Sequence, residues 1–571
     1  VVELKFEKTR SDRFFEKIPP IVTLSLILFP VVGSFFIPQV VAIFVILFNV
    51  FFLYRSIAFT IQFALGTIFL RQAEQIDWQA KVEGLSDIEK EIKSLRDSLN
   101  TIKKLSYKDT RDSLAIKYRH PHYKDVFKLP WVMQVAIFRW EKFKTVNFIR
   151  SEISKLSEIK DNLNFNWHQI NHVIMIPHAK EPLQVLDNTL SEIAKQTFPL
   201  KQIHLVLGAE ARDEEGYEKS VQLQKKYGKI FGNIWVTNHV LKEDEIVGKS
   251  SNMAHAGREA VKEIMKLGWD LSKTTVTSCD ADSRLPKEYF SYLTYEYVTR
   301  FESKYKFFTG AILLYANIWR LDPIARVRNS LSSMFNVGKL VRPDKLIPFS
   351  TYTTSFWLVD QIGYWTPWVT PEDFHLFFKS SFHFPHKVST IPLFTKIYVD
   401  AAEGDTYVES FKNNYMQSRR WQWGVSDDGW MIKNMVMNIG KYSFMVYYRG
   451  IHVLVDHILA PSSAFLLMLG ANLPPLLNAR FGGQVFGAKL PGISETILQI
   501  TFLSFIVAIF FDYLVKPKRD GVSLLRKIVT PFEFIINPIV GLTLTSIPGI
   551  EAHTRLLFGK YLEYYITKKK A

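Results

Sequence analysis

The sequence predicts an α/β domain, built on a mainly parallel sheet with flanking helices, set between groups of α-helical membrane spans. Three observations predict it. Long apolar runs lie near both ends of the 571-residue chain, a polar helix-prone stretch follows the first pair, and the middle alternates short apolar runs with helical stretches.

The runs at 20–36 (PIVTLSLILFPVVGSFF) and 39–54 (QVVAIFVILFNVFFLY) read as two successive spans. A helix rises about 1.5 Å per residue, so some 17–20 apolar residues cross a hydrocarbon core. The second run continues with amphipathic character past Arg55 to Leu70, and Pro38 suits a tight turn between the two. Two spans in succession, with no small-residue cleavage site, argue against a secretory leader. Toward the other end, 452–476 and 494–515 are candidate spans. The stretch 529–549 is interrupted by Pro531, Pro538 and Pro548 and carries Glu533. The basic loop 516–527 (KPKRDGVSLLRK) and the basic tail Lys568–Lys570 put both its ends on one side, so a re-entrant or interfacial hairpin is expected there; a single crossing against the charge bias is the alternative.

The net charge of +16 has a membrane explanation. Many Lys and Arg residues flank the apolar runs, where they meet anionic headgroups, and they do not form the aromatic-interleaved stripe of a nucleic-acid surface. Nucleic acid is therefore not an expected partner, and membrane lipid is. The one cysteine, Cys279, excludes an internal disulfide framework and a thiolate metal cluster.

Four regions follow: 1–70 with the amino-terminal segment and two spans, a helical segment 71–165, the α/β domain 166–430, and 431–571 with interfacial helices and the remaining spans. In the second, Leu85, Ile88, Ile92, Leu95, Leu99 and Ile102 fall at steps of three and four, one apolar stripe on a charged helix. The stripe packs on its own protein or, as a coiled coil, on another chain; its length of about three heptads favours the first. In the third, HVIMIP (172–177), IHLVLG (203–208), NIWVTN (233–238) and TTVTSCDADS (274–283) read as buried strands, with helical stretches such as 184–196 and 216–227 between them. In such sheets ligands bind at the carboxyl ends of the strands.

The residues with chemical potential sit at those ends. Asp280 and Asp282 follow the strand TTVTSC and offer hard oxygen ligands to Mg²⁺ or Mn²⁺, which offsets the charge of a diphosphate. A lone Asp-x-Asp is otherwise a common solvated turn; the strand end is what marks this one. Glu372 and Asp373, in TPEDFHLFFKS, suit either helix N-terminal stabilisation or a general base for a hydroxyl. Gln417, Arg420 and Trp421 lie just before the distal apolar runs, where Arg beside Trp serves as an interfacial anchor or as a phosphate clamp next to an aromatic floor.

The order of these elements, strand, Asp-x-Asp, Glu-Asp, Gln-x-x-Arg-Trp, then spans, resembles the family-two glycosyltransferases, in particular the membrane-embedded group with the cellulose, chitin and hyaluronan synthases. The resemblance implies a GT-A fold, an inverting displacement and a nucleoside diphosphate leaving group. It implies a nucleotide-sugar donor, expected to be a UDP-sugar, and a glycan or lipid acceptor. By it, Asp280 and Asp282 hold the metal, Asp280 also meeting the donor; Asp373 is the base with Glu372 beside it; and Gln417, Arg420 and Trp421 lie near acceptor and pyrophosphate. Pro177-His178-Ala179-Lys180-Glu181 resembles the stretch after the first strand, with Lys180 in place of the usual Asn and Pro177 and Glu181 lining the nucleotide pocket. Glu210 matches the carboxylate set against the base, without the usual paired Asp, and Lys249 in Gly248–Asn252 matches a phosphate-contacting lysine. Ser350–Thr354 falls where the acceptor-side loop is expected. The expected location is the plasma (inner) membrane, multi-pass, with the α/β domain in the cytoplasm. Three functions are consistent with this: a processive polysaccharide synthase with coupled export, transfer of one sugar to a membrane lipid, and a membrane scaffold on an inactive transferase fold.

Overall fold

Thr9 starts the first helix with a capping box: its hydroxyl accepts from the Asp12 N–H while the Asp12 carboxylate accepts from the N–H of Thr9. Helix α1 (Arg10–Phe36) begins ten residues before the apolar run, and Pro38 opens α2 (Pro38–Ala73) directly after the turn at Ile37. This is a computed structural model, and it describes residues 8–104, 131–160, 166–518 and 521–562. Lys5 and the basic tail Lys568–Lys570 lie outside the described residues. The chain divides into two units, Val1–Arg71 with Asn171–Lys287 and Lys304–Ala571, and Gln72–Ile170 with Glu288–Ser303.

The second unit is helical. Helix α3 (Ile88–Lys104) packs on α4 (Trp131–Ile159), and Leu85, Ile88, Ile92 and Leu99 of the predicted stripe are buried. The stripe is covered within its own unit. Trp78 stacks on Tyr292 at 3.7 Å between ring centroids and anchors the helix Tyr289–Thr299 there.

In the first unit the chain builds a seven-stranded sheet of order β3-β2-β1-β4-β6-β5-β7. Its strands and helices alternate as read: β1 (Asn171–Pro177), α5 (Leu183–Ile193), β2 (Ile203–Glu210), α6 (Gly216–Tyr227), β3 (Ile234–His239), α7 (Lys249–Lys266) and β4 (Thr274–Ser278). Strands β1 to β4 are mutually parallel. Burial is complete in β2 and β4 and near-continuous in β1, as helices on both faces require, while β3 at the sheet edge is half-buried. Three further strands complete the sheet: β5 (Lys306–Leu313), β6 (Tyr352–Ser355) and β7 (Ser389–Tyr398), with α8 (Pro323–Leu340) between β5 and β6 and α9 (Glu372–His383) before β7. The four-residue β6 runs antiparallel to β4 and β5. Strand order reverses between β1 and β4, so the switch point lies at Pro177–Glu181 and Cys279–Asp282.

Helix α10 (Tyr407–Gln422) leads to α11 (Phe444–Leu469), α12 (Val485–Val515) and the helical run α13 (Thr530–Leu557). Among the described residues five helices, α1, α2, α11, α12 and α13, are long and apolar enough to cross a membrane. The start of α2 packs with the segment after α11 and the start of α12 through Val41, Ala42, Val45, Ala471, Phe481 and Leu490. At the opposite end, α2 meets the α/β domain: a Cβ on Gly66 would lie 2.6 Å from the Val337 carbonyl of α8. Helix α13 differs from the other four. Glu533 near its start pairs with Arg326 of α8 at 2.9 Å, and Glu551 near its end pairs with Arg419 of α10 at 2.7 Å. Both ends of α13 are thus held on the α/β domain.

Candidate active site

The Asp-x-Asp acids follow β4 directly, because that strand ends at Ser278 paired with Tyr352 of β6. The antiparallel entry of β6 delivers the preceding residue pair, Ser350 and Thr351, onto the end of β4. Ser350 then bonds through its hydroxyl, its N–H and its carbonyl. Its hydroxyl donates to Asp280 at 2.5 Å, its N–H donates to Asp373 at 2.9 Å, and its carbonyl accepts from the Lys249 ammonium at 2.9 Å. It does so at φ +60°, a left-handed conformation that costs a non-glycine residue about 1–2 kcal/mol.

Lys249 is the second hub. It opens α7, whose first turn is tied to the sheet by Asn252, donating to the Gly208 carbonyl at 2.8 Å. A Cβ at Gly208 would lie 2.6 Å from the Asn252 amide oxygen, so this approach needs glycine. The ammonium reaches Asp280 at 2.6 Å and Glu372 at 3.1 Å. Burial pushes the Lys249 ammonium down, yet Asp280 and Glu372 together hold it well above the ordinary lysine range. Burial pushes Glu372 up to about 7 against the attraction of Lys249, with Asp373 and Asp280 adding to the rise.

Glu372 and Asp373 start α9, which is fixed by the buried Phe374, Phe377 and Phe378. The Asp373 carboxylate accepts from two backbone N–H groups, those of Ser350 and Phe374, which sets its plane. The sheet edge therefore gathers Lys249, Asp280, Ser350, Glu372 and Asp373 in one connected group.

Asp282 faces elsewhere. It is buried, accepts from the Asp400 N–H at 3.0 Å, and lines a cavity of about 320 Å³ with Asn188, Arg284, Trp319, Arg320 and Asp400. Asp280 and Asp282 thus have different partners. Among the described residues no cluster of three or more His, Cys, Asp or Glu side chains gathers as for a complete metal cage. Two buried carboxylates, Asp282 and Asp400, do face one cavity, a donor set that suits a hard divalent ion sharing its shell with a diphosphate.

The remaining residues form separate pieces. Pro177 ends β1, Lys180 adopts φ +66°, and Glu181 closes that turn by accepting from the Ala179 N–H. Glu210 ends β2, buried and paired with Arg212. On α10, Gln417 is buried, Arg420 half-buried, and Trp421 43% exposed. Arg328 of α8 organises this group. It donates to Gln417 at 2.9 Å and to Ser418 at 2.7 Å, and lies 4.4 Å over the Trp421 ring. Burial lowers its guanidinium to about 9. The turn after Trp421 is joined to α9 by His375 and Asp427 at 2.8 Å.

Sequence reading missed Asp400 and Arg328. Asp400 follows β7 as Asp280 follows β4, so the strand-end rule would have found it had β7 been recognised. Arg328 carries only the weaker signal of a cation among apolar helix positions.

No family model matches the chain, and no curated protein matches it. Among solved structures, the chain is similar to the mannosyltransferase PcManGT from Pyrobaculum calidifontis, in complex with GDP-Man and Mn²⁺, at 13% identity over 61% of this chain and 88% of that one, with a TM-score of 0.37. It is also similar to residues 1–349 of S. aureus TarS in complex with UDP-GlcNAc, at 13% identity over 70% of this chain and 93% of that one, with a TM-score of 0.30.

Proposed function

We propose that the chain is an inverting membrane glycosyltransferase that moves a sugar from a nucleoside diphosphate onto an acceptor hydroxyl. One observation carries the reading: Asp280, Lys249, Ser350, Glu372 and Asp373, drawn from four separated segments, join at the carboxyl edge of a mainly parallel sheet. Asp373, held by two backbone donors, takes the proton of the attacking hydroxyl. Lys249 meets donor phosphate, and Glu372 and Ser350 keep its ammonium in place. Glu181 and Glu210 line the nucleotide side, while Gln417, Arg420 and Trp421 stand on the acceptor and pyrophosphate side. Asp282, with Asp400 beside it and Asp280 two residues before, would hold Mg²⁺ or Mn²⁺. When bound, such an ion supplies positive charge to the leaving diphosphate. The donor follows from this chemistry as a nucleotide sugar, with a UDP-sugar first in order.

Extension of a polysaccharide with export through the spans is one form of this reaction. Transfer of one sugar to a membrane lipid is the second. Four helices, α1, α2, α11 and α12, would cross the membrane, and α13 would lie along the cytoplasmic interface. A panel of nucleotide sugars with purified protein in detergent, scored by nucleotide release and product length, tests the reading. Release from one donor that stops in excess chelator and returns with Mg²⁺ or Mn²⁺ is expected. No release from any donor would remove the enzymatic reading, and full release in excess chelator would remove the metal.

A further inference from the structure

Lys339, attracted by Asp456 and Asp373, and Lys345, attracted by Asp344 and Asp456, make no ion pair with these or any other described carboxylate. Lys339, in the last turn of α8, makes no hydrogen bond or ion pair with any described residue; its Nζ lies over the rings of Phe335 at 4.4 Å and Phe349 at 5.1 Å. Phe349 precedes Ser350, whose N–H holds Asp373, so this ammonium stands beside the proposed base. Lys345, six residues on, is likewise half-buried without a hydrogen bond or ion pair to a described residue, 5.9 Å from the ring centre of Tyr448 on α11. Burial pushes both ammonium groups below the ordinary lysine range.

The acids around them are already engaged. Asp344 pairs with Arg342 at 2.6 Å, and Asp456 of α11 pairs with Arg55 of α2 at 2.9 Å. Among the described residues Arg449, buried on α11, donates to the carbonyls of Asp344 and Val388 and to no carboxylate. Five cations, Arg55, Lys339, Arg342, Lys345 and Arg449, thus meet two carboxylates, Asp344 and Asp456, with Asp373 at the edge.

Their depth identifies the missing anion. Arg55 lies about 26 Å along α2 from Pro38, close to the far boundary of a hydrocarbon core about 30 Å thick. That is the headgroup level on the side of the α/β domain.

We propose that this cluster binds one phosphate-bearing lipid headgroup, contacted by Lys339 and Lys345, and that this lipid is the acceptor, presenting a hydroxyl to Asp373. The proposal rests on the transfer reaction proposed above. The acceptor oxygen bonds to the anomeric carbon of the donor as the bond from that carbon to the diphosphate breaks, and the hydroxyl proton passes to Asp373. Lysine suits the phosphate as a compact point charge.

Binding is measured apart from turnover, so loss of the lipid site and loss of the transfer reaction are separable. Full-length protein in detergent is titrated with phosphatidylglycerol, phosphatidylcholine or inorganic phosphate and observed by native mass spectrometry. One phosphatidylglycerol should bind at least about tenfold more tightly than phosphatidylcholine, the worth of a single charge-assisted contact. K339Q/K345Q should weaken it at least about tenfold, and K339R/K345R should restore it. K412Q/K560Q, which removes the same charge from exposed lysines elsewhere, should leave binding unchanged. Unaltered binding in K339Q/K345Q overturns the site. Equal loss in K412Q/K560Q reduces it to diffuse attraction for anionic lipid and also overturns it. Displacement of the lipid by millimolar inorganic phosphate would assign the cluster to a soluble anion instead.

Discussion

The backbone N–H of Ser350 donates to Oδ2 of Asp373 at 2.9 Å, while the Phe374 N–H donates to Oδ1 at 2.8 Å. Asp373→Asn keeps the shape but turns one acceptor into a donor facing an N–H. A loss of about 1 kcal/mol in stability is expected, together with a fall in transfer rate of at least about a hundredfold, the worth of a positioned base. Nucleoside diphosphate binding should persist, because Lys249 and the nucleotide-side acids are untouched. Glu372→Gln should be milder in rate. Rates and diphosphate affinities of both variants check this; near-normal transfer in Asp373→Asn with a dead Glu372→Gln would move the base one residue back.

The left-handed Ser350 gives a second expectation. Ser350→Ala loses the bond to Asp280 and keeps the strain, whereas Ser350→Gly loses the same bond and relieves the strain. Ser350→Gly should therefore be more stable than Ser350→Ala by about 1 kcal/mol. Denaturation in matched detergent compares them, and equal stability would mean the strain is not stored there.

Glu372 sets a pH dependence. Its folded value, about 7, lies above its ordinary value of 4.5, so the folded state holds the proton more tightly than the unfolded chain. The stability this contributes is complete below pH 4.5 and is lost as pH rises through about 7. Glu372→Gln, which never ionises, should gain stability relative to the parent between pH 5 and 8.5, by up to about 3 kcal/mol. Thermal melts across that range decide it, and a gap that is constant or reversed in sign refutes the assignment.

Arg328 acts through Trp421 and Gln417. Lysine cannot reach Ser418, Gln417 and the indole face at once, so Arg328→Lys should release the Trp421 ring. A changed tryptophan emission and a fall in kcat of about ten- to hundredfold, with KM for the donor little changed, are expected. Unchanged emission with a lost kcat would place Arg328 in contact with substrate instead.

The paired ends of α13 predict a topology. Cysteines replacing the exposed Phe532 and Phe558 should both react with an impermeant label only from the side of the α/β domain. One replacing the exposed Val485, the first residue of α12, should react only from the opposite side. Buried Cys279 keeps the background low. Labelling of 532 and 558 from opposite faces would make α13 a crossing helix.

Periodicity and strand-end chemistry were enough to read the first four strands, their helices, the apolar spans and the positions of Asp280, Asp282, Glu372 and Asp373. These signals are local: a fully buried parallel strand is a continuous apolar run, and a span is a longer one. β6 and β7 escaped because β6 has four residues and β7 is only partly buried, so neither writes a clean pattern. The assembly of the site was not legible either. Lys249 and Glu372 lie 123 positions apart and meet only because α7 and α9 both start at one sheet edge. The bonds of Ser350 depend on the reversed direction of β6, and the separation of Asp282 from Asp280 depends on Asp400 arriving from β7. Composition also left α13 open between crossing and lying flat, since its apolar content suits both. Its two ion pairs to the α/β domain tie down both ends, because a charge at a membrane boundary is held by the partner that tertiary packing brings to it.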